Sequence, residues 1–311
     1  MNKIISLSNN QMWAMRLESF KAIQQSVRLS AETIEPDFDL KGLVEDPIFN
    51  IINSVAVIPI KGTISKNVSV VEKLLFDVID IDNVSEMFSQ ANANEDVDAI
   101  VLDISSPGGS TGGIAEMYEQ IFRSQKPVIA FTDSMACSAA YWIMASCDAV
   151  YMTKSAEIGA VGVFASFIDF SKNYEQNGLK REIIVSTGST HKGAGAPGTS
   201  LTDEQRGEIQ SQVDYLNQMF KADVTVIRTI SDENILGQVF IGENAINSGY
   251  ADSIVNSIDV AITDALILAG QEDEEEKEED VEEENVEEKE EEKEEEKEVE
   301  EEEKEVEEEN E

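Results

Sequence analysis

At 311 residues the chain is long enough for one large domain or two small ones, and its formal net charge of −41 is spread very unevenly. From Gln271 onward stand 29 acids and five lysines, a net −24, which leaves an ordinary acidic balance of −17 over the first 270 residues. No basic stripe is available to neutralise phosphates, which argues against nucleic acid as a direct partner, and no stretch approaches the ~18 consecutive apolar residues of a membrane-spanning helix. The two cysteines, Cys137 and Cys147, lack C-x-x-C spacing, so a disulfide scaffold is excluded and a reducing compartment fits. The opening residues Met1 to Asn10 hold too short an apolar run for a signal peptide, and the sequence predicts a soluble, cytosolic protein.

Residues 1–50 form an N-terminal arm. Met12, Met15, Leu17, Phe20 and Ile23 predict a helix over Met12 to Val27, followed by the turn-rich Glu35 to Asp39. A core domain is expected over 51–270. It opens with the apolar run Ser54 to Ile60, which reads as a strand bent at Lys61-Gly62. Asn83 to Asn92 is helical, with Val84, Met87 and Phe88 on one face, and Asp96 to Ile104 is a buried strand. Directly after it, Ser105-Ser106-Pro107-Gly108-Gly109 leads through Gly113 into a helix over Ile114 to Phe122. Gly108 and Gly109 can take positive φ and let another chain lie against their N–H groups. A strand, a glycine turn and a helix start together make an anion or oxyanion cradle. A nucleotide-phosphate site is the competitor, but neither a Gly-Lys-Ser/Thr ending nor G-x-G-x-x-G spacing is present.

The next unit organises the rest of the chain. The strand Pro127 to Phe131 feeds through Asp133-Ser134-Met135-Ala136-Cys137 into Ser138-Ala139-Ala140-Tyr141-Trp142 and a helix ending near Ser146. That places Ser138 in the first helical turn at the mouth of a parallel sheet, where unpaired amides and the helix dipole favour negative charge. Ser138 is either a nucleophile or a capping serine. Ala149 to Met152 is a strand, and the paired glycines of Ile158 to Val163 suggest close backbone packing. Arg181 to Ser186 is predicted as a strand running into the glycine-rich loop Thr187 to Pro197. Thr202 and Gln205 form a capping box for a helix reaching about Ile227. Its stripe of Ile209, Val213, Leu216, Phe220, Val224 and Ile227 predicts core or subunit interface. A last helix reaches Leu268. Residues 271–311 form a low-complexity acidic tail whose valines lack heptad spacing, which predicts a disordered, solvent-exposed segment.

A serine nucleophile needs a base. His191 is the single histidine, and its neighbour Lys192 is the rival, able to act if its amine is desolvated. The residues alone do not choose between them.

The ordered motifs Ser105-Ser106-Pro107-Gly108-Gly109, Ser134-Met135-Ala136-Cys137-Ser138-Ala139-Ala140, Ile158-Gly159-Ala160-Val161-Gly162-Val163 and Thr187-Gly188-Ser189-Thr190-His191-Lys192 resemble the signal peptide peptidase A (protease IV) family over roughly residues 54–255. Within it they look most like the phage head-maturation proteases. The resemblance implies an α/β fold, the Clp-protease/crotonase-like spiral of ββα units, with Ser138 as nucleophile and Lys192 as general base. It implies an oxyanion hole from the amides of Gly108, Gly109 and Ala139, and assembly into homo-oligomeric rings without metal or other cofactor. The expected work is cleavage of scaffold and capsid proteins, and of the enzyme itself, inside the prohead in the host cytoplasm. The acidic tail then fits a scaffold segment that is later removed. One departure is Ala160, where many relatives carry a serine whose hydroxyl would bond the lysine amine; a second is Ala140 in place of a glycine. Three other readings compete: a cytosolic signal-peptide or quality-control peptidase, a catalytically weak assembly protein displaying the tail, and a crotonase-type acyl-CoA enzyme of the same fold.

Overall fold

The computed structural model describes residues 12–15 (as backbone), 48–69, 72–73 and 76–270. The chain divides into Met1–Ala265 and Leu266–Glu311. The fold below belongs to the first unit, and the second is described only as helix over 266–270.

Three strand–strand–helix units repeat in order. The first comprises β3 (Val55–Lys61), β4 (Thr63–Ser65), a further short strand β5 (Val78–Asp80) and α1 (Ile81–Asn92). The second is β6 (Ala99–Ser105), β7 (Gly108–Ser110) and α2 (Ile114–Phe122), and the third β8 (Val128–Thr132), β9 (Met135–Cys137) and α3 (Ala139–Met144). A fourth pair, β10 (Ala149–Met152) and β11 (Glu157–Gly159), follows.

The leading strands β3, β6, β8 and β10 pair in parallel as the centre of one six-stranded sheet. It is edged by β14 (Ser253–Ile254) and by the antiparallel β2 (Asn50–Ile52). Ile58, Val101, Leu102, Ile129, Ala130 and Val150 are all buried. Strands read as near-continuous apolar runs when both faces of a parallel sheet are covered. The second strands lie against one another: β4 beside β7 through Ile64↔Gly109, Ser106 beside Ala136, and β9 beside β11 through Cys137↔Gly159. This staggered repetition is the ββα spiral that the motifs imply.

Most predicted elements stand where their periodicity puts them. The Lys61-Gly62 bend occurs because Gly62 takes φ 86 with its Cα packed under the Asp77 carbonyl, where a Cβ would sit 2.1 Å from that oxygen. The capping box of Thr202 and Gln205 opens α5 (Asp203–Ile227). Past the later strand β13 (Val239–Ile241) and α6 (Glu243–Asn247), residues 258–270 are helical.

Two expectations are corrected. Met12 to Met15, read as the start of a helix, is a strand, β1, because it pairs on both sides with other strands; the rest of the arm's predicted helix and the acidic tail lie outside the described residues. Arg181 to Ser186 carries strand-forming residues but finds no strand partner among the described residues and runs as irregular chain, with Ile184 93% exposed. Extended chain needs a neighbour to satisfy its backbone groups, and propensity supplies none. The stripe on α5, read as core or subunit interface, is buried in the single chain at Phe220 and Val224, with Ile209, Val213 and Leu216 half-buried.

Candidate active site

β9 is clamped along both edges just before Ser138. On one side the Ser106 amide donates to the Met135 carbonyl at 2.8 Å, and the Cys137 amide donates to the Ser106 carbonyl at 3.1 Å. On the other, the Ser138 amide donates to the Gly159 carbonyl at 2.7 Å. With the strand held this way, the chain turns into α3 at Ser138, whose φ of 58° and ψ of −118° are unusual for a side-chain-bearing residue. Such a conformation costs on the order of 1–3 kcal/mol and persists only where its surroundings impose it.

Ser138 is therefore the residue before the helix rather than part of its first turn, and it does not cap. Its carbonyl accepts the first helical bond from the Trp142 amide at 2.8 Å, but its side chain makes no capping bond. The hydroxyl, 1% exposed, donates instead to the Gly162 carbonyl across 3.4 Å, a long contact. The helix behind it is rigidly seated. Trp142 stacks on Phe220 with ring centroids 4.4 Å apart and donates from Nε1 to Asp223 Oδ2 at 2.8 Å, while the Tyr141 hydroxyl donates to the Tyr250 carbonyl at 2.9 Å. Burial pushes the Asp223 carboxyl above the usual carboxylate range, and the Trp142 N–H only partly offsets that.

The glycine turn runs beside this elbow. Gly108 takes φ 96°, and its amide donates to Ser106 Oγ at 3.1 Å. Gly109 crosses β4 so closely that a Cβ would stand 1.7 Å from the Ile64 carbonyl oxygen. The sequence suggested a loop here; the structure places a short strand, β7, with glycine required by that approach. Ala139, the first residue of α3, presents an amide that no helical carbonyl can accept. The structure thus gathers Ser138, Ala139, Gly108 and Gly109 around one turn of chain. It adds two residues that sequence reasoning missed. Ser106 had a visible signal, a second serine in the Ser-Pro-Gly-Gly motif. Gly162 acts through its carbonyl, which no side-chain pattern reveals.

Lys192 is not brought into this group. It is exposed, its amide donating to the Ser189 carbonyl at 3.0 Å, and no hydrogen bond among the described residues joins it to Ser138. It rides on a long excursion that leaves the core after β12 (Phe164–Ala165), passes through α4 (Ser171–Gln176) and returns at α5. The neck of that excursion is tied: Asp169 accepts from the Ser171 amide at 2.8 Å and from Ser200 Oγ at 2.7 Å. Those hydrogen bonds pull the Asp169 carboxyl down to about 2. At the far end, His191 Nε2 lies 3.5 Å from Glu204 Oε1, and Gln205 Nε2 donates to the Thr190 carbonyl at 3.1 Å. His191 is thereby engaged with the exposed start of α5, away from the elbow's hydrogen bonds.

A cavity of about 330 Å³ opens next to the serine's hydroxyl acceptor. Val161, Gly162 and Val163 form one wall, α5 contributes Val213 and Lys221 among others, and Ile235 closes it.

Residues 120–271 match the family model for peptidase family S49, and residues 54–173 match that for the NfeD1b N-terminal domain. The chain is 30% identical over 217 residues to the head-tail preconnector protein GP5 of Enterobacteria phage P21, covering 68% of this chain and 43% of that protein. It is 30% identical over 220 residues to capsid assembly protease C of Escherichia phage lambda, covering 69% and 49%. With Protease 4 of Haemophilus influenzae it shares 26% identity over 230 residues, covering 73% and 36%. In each case the match spans less than half of the relative's own length. Among solved structures, a ClpP1 mutant from Listeria monocytogenes superposes with a TM-score of 0.44 at 12% identity, over 65% of this chain and 92% of that one, a likeness too loose to build on.

Proposed function

Over the residues its family model matches, this chain belongs to peptidase family S49, and on that premise we propose that it is a serine endopeptidase with a Ser138–Lys192 dyad, acting on capsid and scaffold proteins during phage prohead maturation. The observation that carries the reading is the Ser138 elbow: a buried hydroxyl on a positive-φ backbone, free of capping duty and held by bonds to β6–β7 and β11. A capping serine would have an ordinary extended backbone and a side-chain bond to the helix. Family likeness adds the reaction class, and the two phage proteins named above supply the substrate class.

In the proposed reaction Lys192, neutral when desolvated, takes the proton from Ser138 Oγ, which attacks the scissile carbonyl. The amides of Gly109 and Ala139 hold the tetrahedral oxyanion, and Gly108 joins them once the Ser106 hydroxyl yields its amide. The intermediate collapses with cleavage of the C–N bond, Lys192 returning its proton to the departing amine. Water, deprotonated by Lys192, then releases the acyl-enzyme as a free carboxyl group and restores the Ser138 hydroxyl. An amine in open solvent is almost wholly protonated and is no base. The Lys192 excursion therefore closes over the elbow when copies of the chain assemble, burying the amine and the exposed apolar residues Ile183, Ile184 and Val185. The cavity beside Gly162 is the slot for a substrate side chain.

Co-expression with the cognate capsid protein tests this. Ser138→Ala and Lys192→Ala leave the capsid protein intact, and His191→Ala processes it. A processing-competent Lys192→Ala beside an inert His191→Ala would overturn the dyad.

A further inference from the structure

One strand near the site comes from neither the ββα units nor the excursion. In the sheet ordered β12-β1-β7-β4-β5, the N-terminal strand β1 lies between β12 and β7. It is antiparallel to both, pairing Trp13↔Ser110, Ala14↔Gly109 and Met15↔Gly108 on one side, and Met12↔Ala165 and Trp13↔Phe164 on the other.

Both neighbours lead directly to Ser138. β7 begins two residues after Ser106, whose carbonyl holds the Cys137 amide. β12 begins two residues after Gly162, whose carbonyl takes the Ser138 hydroxyl. Continued by two residues, the β12 register sets Met15 level with Gly162, as it already stands level with Gly108. With strands spaced ~4.8 Å apart, β7 and β12 stand ~9.6 Å from each other, room for a single extended chain. β12 pairs with no other strand of that sheet. A chain entering there satisfies backbone groups along both of its edges, which is how strand addition recognises extended peptides.

We propose that Met12–Met15 is a built-in, substrate-like occupant of the enzyme's peptide slot, lying between the two strands that lead to Ser138, and that an incoming polypeptide strand binds by displacing it. The proposal rests on Ser138 being the peptidase nucleophile, but its test reads binding and needs no turnover.

The probe is a fluorescein-labelled peptide of residues 9–18, and the host is the full-length Ser138→Ala chain, which does not consume it. A tethered strand competes at an effective concentration on the order of millimolar, so freeing the slot tightens the apparent affinity of the probe about tenfold or more. Ala14→Pro removes an amide and the extended pairing of a strand bonded on both edges; anisotropy is expected to show that gain, with a circular-dichroism melt checking that the variant is folded. The paired substitutions Trp13→Cys and Ser110→Cys lock the occupant under oxidising conditions. Cys137 and Cys147 are buried and do not compete. The locked form is expected to bind no probe until reductant is added, a reversal within one folded molecule. Equal binding by the host, the proline variant and both redox forms of the locked variant overturns the proposal. Capsid cleavage by the wild-type chain is scored separately. An inactive enzyme that still shows the binding changes sinks the nucleophile and leaves the slot; an active one with unchanged binding does the reverse.

Discussion

The two halves of the proposed dyad sit in contrasting parts of the molecule. Ser138 is 1% exposed, at the junction of β9 and α3, with its backbone bonded on both sides and Trp142 wedged between Phe220 and Asp223 behind it. Lys192 is exposed on irregular chain whose apolar residues include Ile184 at 93% exposure, fastened at its neck by Asp169 and at its far end by Glu204 and Gln205. One group is preorganised by the fold of a single copy, and the other is not. A nucleophile can be held ready harmlessly because it is inert without a base. Leaving the base to be buried on assembly would confine proteolysis to the assembled state.

The sharpest way to break the comparison is Lys192→Ala. Activity should fall about 10⁴-fold, as for the loss of a member of a catalytic unit. The melting midpoint should hardly move, because an exposed side chain contributes within ~0.5 kcal/mol of stability. A large loss of stability would mean that Lys192 is already structural in the single chain. The core behaves oppositely. Trp142→Ala removes the stack on Phe220 and the bond to Asp223 and should cost about 3–5 kcal/mol in a denaturant titration, whereas Ile184→Ala should leave the unfolding free energy of the single copy nearly unchanged and show itself in sedimentation as weaker self-association.

A smaller effect tests the elbow itself. Ser138→Gly removes the steric penalty at φ 58° and should raise stability by about 1 kcal/mol while abolishing cleavage. A destabilised glycine variant would mean that the conformation carries no strain. The smallest effect concerns the neck. The Asp169 carboxyl is depressed to about 2 by the Ser171 and Ser200 hydrogen bonds, so its contribution is complete above the ordinary carboxylate range and is lost only as pH falls through about 2. Amide exchange at Ser171 and in residues 199–201 should therefore stay slow down to pH ~4 in the wild type and be quicker throughout that range in Asp169→Asn.

Legibility followed the same division. α2, β10 and the capping box of α5 match the ranges read from the sequence, because periodicity and capping residues are local signals. The site was legible where a motif names its own atoms, as with the Ser138 hydroxyl and the Gly108-Gly109 turn. It was illegible where the contributing group is a backbone carbonyl, as at Gly162, or where pairing overrides helical spacing, as at Met12–Met15. Arg181 to Ser186 shows the converse, strand-forming residues that pair with no strand among the described residues.

The sequence by itself determined the order of the leading strands and helices and singled out a serine and a glycine turn as candidates, since hydrophobic period and glycine placement are written locally, while it left His191 and Lys192 as rival bases. Only the tertiary structure decided that Ser138 turns the chain at positive φ instead of capping a helix, that Lys192 stands in solvent, and that an N-terminal strand fills the gap between β7 and β12. Each of these depends on which distant backbone groups meet, and hydrogen bonds between segments remote in sequence leave no periodic trace in either one.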